Sequence, residues 1–146
     1  MNKLLGPLMG ALEYSQATLR IFGEDLIPED VSNLLGAKAT KSKKKGDEVV
    51  GKVSGKVRIA KIGSWHLHAE KREPEDLNAP IAEILSQLTS DLAVWERLCQ
   101  NYKVDMFCGL FMGNCNDGLS LSPEIMLALG QLKIVLDLDI YSGSDD

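Results

Sequence analysis

The chain has 146 residues, 45% of them hydrophobic and 25% charged, a size and composition that fit one folded domain and exclude the disordered and fibrous classes. No apolar run reaches the roughly 20 residues of a membrane-spanning helix, so no membrane role is expected. The net charge of −5 hides a split: residues 38–61 hold nine bases against two acids, a net of +7, and the remaining seven bases and nineteen acids carry −12.

At the N-terminus, Lys3 ahead of the apolar stretch Leu4 to Leu12 has the outline of a secretory leader, with Ser15 and Ala17 as small residues near a cleavage point. Gly6, Pro7 and Gly10 interrupt that stretch, and cleavage would cut into the first strand. Cys99, Cys108 and Cys115 are odd in number and match neither a disulfide framework nor a Cys-x-x-Cys metal knuckle. Both observations point to a cytoplasmic chain with free, mostly buried thiols.

Tyr14 to Phe22 alternate with period two, Ser15, Ala17, Leu19 and Ile21 on one side, which predicts a half-buried strand. Pro28, Glu29 and Asp30 open a short helix, carried by Val31, Leu34 and Leu35 and stopped by Gly36. Residues 37–47 are polar and lysine-rich and read as a mobile loop. Val49 to Val53 and Val57 to Ala69 read as strands, with Ser54 and Gly55 turning between them and Gly63 marking a bulge or kink.

Asn78 reads as a helix cap with Pro80 in the first turn, followed by Ile81, Ile84, Leu85 and Leu88 at helical spacing. Leu92, Trp95, Leu98 and Cys99 keep that period, so one bent helix or two abutting helices starting afresh at Asp91 both fit. Lys103 to Met112 alternates as a strand, residues 113–118 form a loop, and Ser122 and Pro123 begin a helix that Gly130 ends. In the final strand Leu132, Ile134, Leu136, Leu138 and Ile140 form the expected buried face, and residues 142–146 a frayed acidic tail. Strands of strict alternation interleaved with unequal helices predict one α+β domain over 1–146. Its expected form is a single, largely antiparallel sheet of about five strands with helices packed mainly on one face.

Three stretches carry a family resemblance: Ala17 to Asp30, running on through Leu34-Leu35-Gly36 to the lysine-rich loop; Gly63-Ser64-Trp65-His66-Leu67; and Leu121-Ser122-Pro123-Glu124 with the closing Leu136 to Tyr141. Together they make the chain resemble the bacterial family catalogued as domain of unknown function 4279. They touch about a third of the chain, at element boundaries; a proline often found in such families has Ala39 in its place here. The resemblance implies a fold and a bacterial or phage origin. It brings no activity and no catalytic residues.

Gly46 to Lys52 matches a phosphate-binding loop except that Val53 replaces its Ser or Thr, and a β pattern follows where the motif needs a helix. His66 and His68 share one face of a strand, as do Asp137 and Asp139, and neighbouring strands would bring all four together as metal ligands. Lys41, Lys43, Lys44 and Lys45 are candidate anion contacts. The 37–61 segment lacks aromatics and has one arginine, Arg58, so nucleic acid is not the expected partner. Cys108 and His66 could pair as nucleophile and base, but Cys108 falls on the expected core face, where thiols are inert.

No lipase-type elbow, zinc-protease helix or dinucleotide fingerprint is present. The leading expectation is therefore a non-catalytic protein-binding domain, an inhibitor or immunity-type protein whose acidic body steers it to a cationic partner. A metal-binding domain or small metal-dependent enzyme built on the histidine pair is the alternative. A homodimer through a sheet edge is compatible with either.

Overall fold

The computed structural model describes residues 12–70, 76–113 and 118–141. In chain order these form strand β1 (Leu12–Gly23), helix α1 (Pro28–Leu35), and strands β2 (Lys41–Lys43), β3 (Glu48–Val50), β4 (Val57–Ile59) and β5 (Gly63–His68). Helices α2 (Asn78–Ser86) and α3 (Leu92–Asn101), strand β6 (Lys103–Met112), helix α4 (Pro123–Gln131) and strand β7 (Val135–Tyr141) follow. The frayed tail expected at 142–146 lies outside the described residues, as does Cys115.

Five strands form one sheet in the order β2-β5-β1-β6-β7, and β3 and β4 make a separate hairpin. β1 runs antiparallel to β5 and to β6, and β2 antiparallel to β5, but β7 runs parallel to β6. The sheet is thus mixed, which corrects the largely antiparallel expectation. The reason is local: α4 carries the chain back to the start of β6, so the next strand repeats its direction. Alternation of side chains says which face a residue takes and nothing about strand direction.

Residues of one parity on β1, β5 and β6 (Ala17, Leu19, Ile21; Trp65, Leu67; Met106, Cys108, Leu110) share a single apolar cluster with the helices. Val31 and Leu35 enter it from α1, Ile81 and Ile84 from α2, Trp95 and Leu98 from α3, Ile125 and Leu129 from α4. The Trp65 indole donates to Ser32 Oγ at 2.9 Å, tying β5 to α1, and the Trp95 indole donates to the Thr89 carbonyl at 2.8 Å. Both tryptophans therefore enter the core with their N–H groups satisfied.

Helix ends follow side-chain chemistry. Gly36 takes the left-handed position after α1 at φ 81°, the Asp91 carboxylate accepts from the Ala93 N–H, and Ser122 Oγ accepts from the Ile125 N–H. The central helical region is two helices. Asn78 is not the cap of α2; that place falls to Leu77, which makes no side-chain cap bond. The Asn78 amide instead accepts from the Ser122 N–H at 2.8 Å and donates to the Ser120 carbonyl at 3.0 Å, bracing α2 against the entry to α4. α4 runs one residue past Gly130, and Lys133 takes the left-handed turn at φ 61°.

Three further expectations are corrected. The stretch 37–47 is not loop throughout, because Lys41–Lys43 pairs with β5 as an edge strand, and edges tolerate lysines well. The strand expected over Val57 to Ala69 is two strands, β4 and β5, which belong to different sheets. On β7 the expected apolar face is buried only at its approach: Leu132 and Ile134 are 9% and 6% exposed, Leu138 and Ile140 45% and 58%. Nine helical residues of α4 span about 13 Å against about 23 Å for seven strand residues, so the helix runs out before the strand does.

Gly63 begins β5 where a Cβ would lie 2.6 Å from the Leu26 carbonyl oxygen and 3.2 Å from that of Gly23. Gly63→Ala should therefore destabilise the protein by about 2 kcal/mol, because backbone must move. Gly130, in α4 with open space around it, should respond oppositely, Gly130→Ala stabilising by about 0.5 kcal/mol. Chemical denaturation of the two variants beside the parent checks both signs.

Candidate functional site

The side chains of the other parity lie on the opposite face of the sheet, and the strand registers set them in rows. Lys41, His66, Arg20 and Asp105 line up across β2, β5, β1 and β6. Thr18 and Phe107 form the next row with His68 and Asp137, and Phe111 sits beside Tyr141 further along.

Arg20 organises the centre. Its Nε and Nη2 donate to the two carboxylate oxygens of Asp105 at 2.8 and 2.7 Å, a bidentate pair. Asp105 is only 1% exposed. The guanidinium carbon lies 4.3 Å from the Phe107 ring centre and 5.2 Å from that of Phe22, so the cation has an aromatic on each of two neighbouring rows. Asp137 approaches the same guanidinium at 3.8 Å. Burial, the largest influence, would lift the Asp105 carboxyl, but hydrogen bonds with Arg20 and Asp137 and the charges of Arg20 and Lys103 together hold the group below its ordinary value. A hydrogen bond with Asp105 pushes Asp137 the other way. One cation thus serves two carboxylates and satisfies one of them fully.

Toward the β7 edge, Phe111 and Tyr141 stack with centroids 4.6 Å apart and planes 5° from parallel. The Tyr141 hydroxyl donates to Asp139 at 2.6 Å, which raises the phenol's pKa. Acid and aromatic surface therefore lie together on β6 and β7. Toward the β2 edge the face is basic and imidazole-rich. His68 Nδ1 and Thr18 Oγ1 are 2.8 Å apart, and His66 meets Phe22 edge-on at 5.5 Å. His66 Nε2 is buried with no hydrogen-bond partner among the described residues. Burial, then His68, Arg20, Lys41 and Lys43, lower its pKa to about 4, so the ring is neutral at neutral pH.

The structure separates residues that the sequence suggested could meet. His66 and His68 share a face, rings 6.3 Å apart, and Asp137 and Asp139 share it too. However, β1 and β6 lie between β5 and β7, which puts the pairs about 14 Å apart at ordinary strand spacing. Among the described residues no group of three or more His, Cys, Asp or Glu is placed to hold a metal ion. Lys41 and Lys43 are on β2 beside the histidines, while Lys44 and Lys45 sit in the turn beyond, Lys45 paired to Glu24 at 3.2 Å.

Cys108 is on the core face and His66 on the other, so the sheet itself keeps them apart, and burial pushes the Cys108 thiol to about 12. Gly46 to Lys52 contains β3 and leads into the β3-β4 hairpin, with no helix behind it. Among the described residues no helix is long and apolar enough to cross a membrane.

Sequence reading missed Arg20, Asp105 and the aromatics Phe22, Phe107, Phe111 and Tyr141. The one available signal was Asp105, an acid between Val104 and Met106 in an apolar strand. Its partner is 85 residues away, which spacing does not reveal.

The chain belongs to the family described as Domain of unknown function (DUF4279), matched over residues 13–143. No curated protein and no solved structure matches it. The stretch Gly63 to Leu67 that carries the resemblance is largely structural here: Gly63 lies against the Leu26 backbone, and Trp65 bonds Ser32.

Two outcomes follow from this geometry. Arg20→Met strands the buried Asp105 charge and should cost about 2 to 3 kcal/mol, which adding Asp105→Asn should partly restore in a double-mutant cycle of denaturant melts. The folded-state pKa of His66 is lowered, so the unfolded chain takes up the proton first and stability is lost as pH falls from 6.5 toward about 4. Stability measured against pH should show a shallower fall in that window for His66→Gln than for the parent.

Proposed function

We propose that this member of the family is a non-catalytic interaction protein that docks a cationic macromolecular partner on the open face of its sheet. With the helices gathered on the core face, the opposite face is the working surface, and its β6-β7 half is the contact. The observation that carries the reading is the pairing there of Asp137 and Asp139 with Phe107, Phe111 and Tyr141. Carboxylates neutralise lysine and arginine side chains, and aromatic faces take guanidinium groups, so acid and aromatic together suit a basic protein surface.

Charge supports the same reading at long range. Outside residues 38–61 the chain carries −12, which draws a cation toward the acidic body. The basic segment starts at the opposite edge, on β2, and runs on into the separate β3-β4 hairpin, so a docking partner is oriented as well as attracted. An inhibitor or immunity-type protein of a bacterial cytoplasm acts in this way, by occupying a basic surface of its target. Arg20, fixed by Asp105, serves as the rigid floor of the contact.

Titration of the purified chain with basic proteins and lysine-rich peptides at two salt concentrations tests the reading. The combined Asp137→Asn and Asp139→Asn variant should bind about tenfold more weakly at low salt, and raising salt from about 0.05 to about 0.5 M should weaken the parent. Binding indifferent both to salt and to the two substitutions would remove the acidic face from the mechanism.

A further inference from the structure

We propose that the outer edge of β7, unpaired among the described residues, accepts an added β-strand from the cationic partner, a segment in which basic and apolar residues alternate. This rests on the reading above and gives it a mode of binding.

The two edges of the sheet are built differently. β2 is three residues long and carries Lys41 and Lys43, the usual protection of an edge against further pairing. β7 is seven residues long, contains no lysine, arginine, proline or glycine, and has no strand on its outer side among the described residues. Every second residue of a strand paired on one side directs its N–H and C=O outward, so this edge presents backbone donors and acceptors in a row. Its side chains are exposed as well: Leu138 at 45% and Ile140 at 58%. A long apolar edge left open is what strand addition uses.

The two faces of β7 specify the incoming strand. Asp137 and Asp139 project on the open face, Leu138 and Ile140 on the core side, where α4 has already ended. Directly opposite residues of neighbouring strands share a face, so an added strand sets alternate residues against the two carboxylates and the rest against the apolar pair. Lysine or arginine at the first set and valine, isoleucine or leucine at the second complements both faces at once.

A second copy of this chain is the poorer occupant. Two-fold pairing of β7 centred on Leu138, which keeps the apolar rows on one side, sets Asp137 of each copy opposite Asp139 of the other. Like charges directly opposite are destabilising.

The test uses the full chain and three capped peptides of one composition. The first alternates lysine with valine, the second blocks the lysines together, and the third is the alternating peptide N-methylated at every second residue to remove its hydrogen-bond donors. By calorimetric titration the alternating peptide should bind about tenfold or more tightly than the blocked one, and N-methylation should abolish the difference. Leu138→Lys with Ile140→Lys, both at exposed positions, should remove the preference while leaving thermal unfolding unchanged. Equal binding of the alternating and blocked peptides overturns strand addition and leaves charge-driven docking standing. No binding of any peptide at low salt overturns both readings. A homodimer in sedimentation that the double lysine variant dissociates assigns the edge to a second copy and overturns the proposal.

Discussion

Strand β1 pairs on both sides, with β5 and with β6, from Thr18 to Phe22. That double pairing leaves no freedom of register. A slip of one residue would turn Leu19 and Ile21 out of the core and put Arg20 in their place, a cost of several kcal/mol from burial alone. All else on the sheet takes its position from this strand. The core receives Ala17, Leu19 and Ile21, and the opposite face receives Gln16, Thr18, Arg20 and Phe22.

Placing Arg20 at the middle of a sheet creates a problem that the rest of the open face solves. A guanidinium flanked by β5 and β6 is partly dehydrated and requires an anion close by. Asp105, one strand over and directly opposite, supplies it in bidentate geometry. The pair contributes order more than net stability, since desolvating both groups offsets much of their attraction. What it secures is a fixed orientation: Phe22 and Phe107 lie near the same guanidinium, and Asp137 is left only partly neutralised. The acidic character of the β7 side thus arises from a charge imbalance set at the centre.

The asymmetry of the two sheet edges follows from the chain path. β2 arrives within a lysine-rich segment and is short, so that edge is protected by charge. β7 follows the α4 crossover and ends the described sheet, its far half beyond the reach of α4, where Leu138 and Ile140 are exposed. Acidic, aromatic and apolar groups accumulate on the same margin.

By itself the sequence determined most of the elements and the faces of the long strands β1 and β6. Period-two alternation in 14–22 and 103–112 put Ala17, Leu19 and Ile21 of β1 and Cys108 of β6 on the core face, where they lie. Pro28 with Gly36, Asp91, and Ser122 with Pro123 located three of the four described helices, because these signals act within one turn of chain. Local chemistry could not fix strand order or direction, since both depend on where the chain goes between strands. Hence the mixed sheet, the pairing of Lys41–Lys43 and the fading burial of β7 emerged only from the tertiary structure. The site divides the same way. That His66 and His68 share a face, and likewise Asp137 and Asp139, follows from residue spacing on a strand. That two strands separate those pairs, and that Arg20 and Asp105 occupy the interval, was decided by the sheet order, which joins residues with no sequence relation to one another.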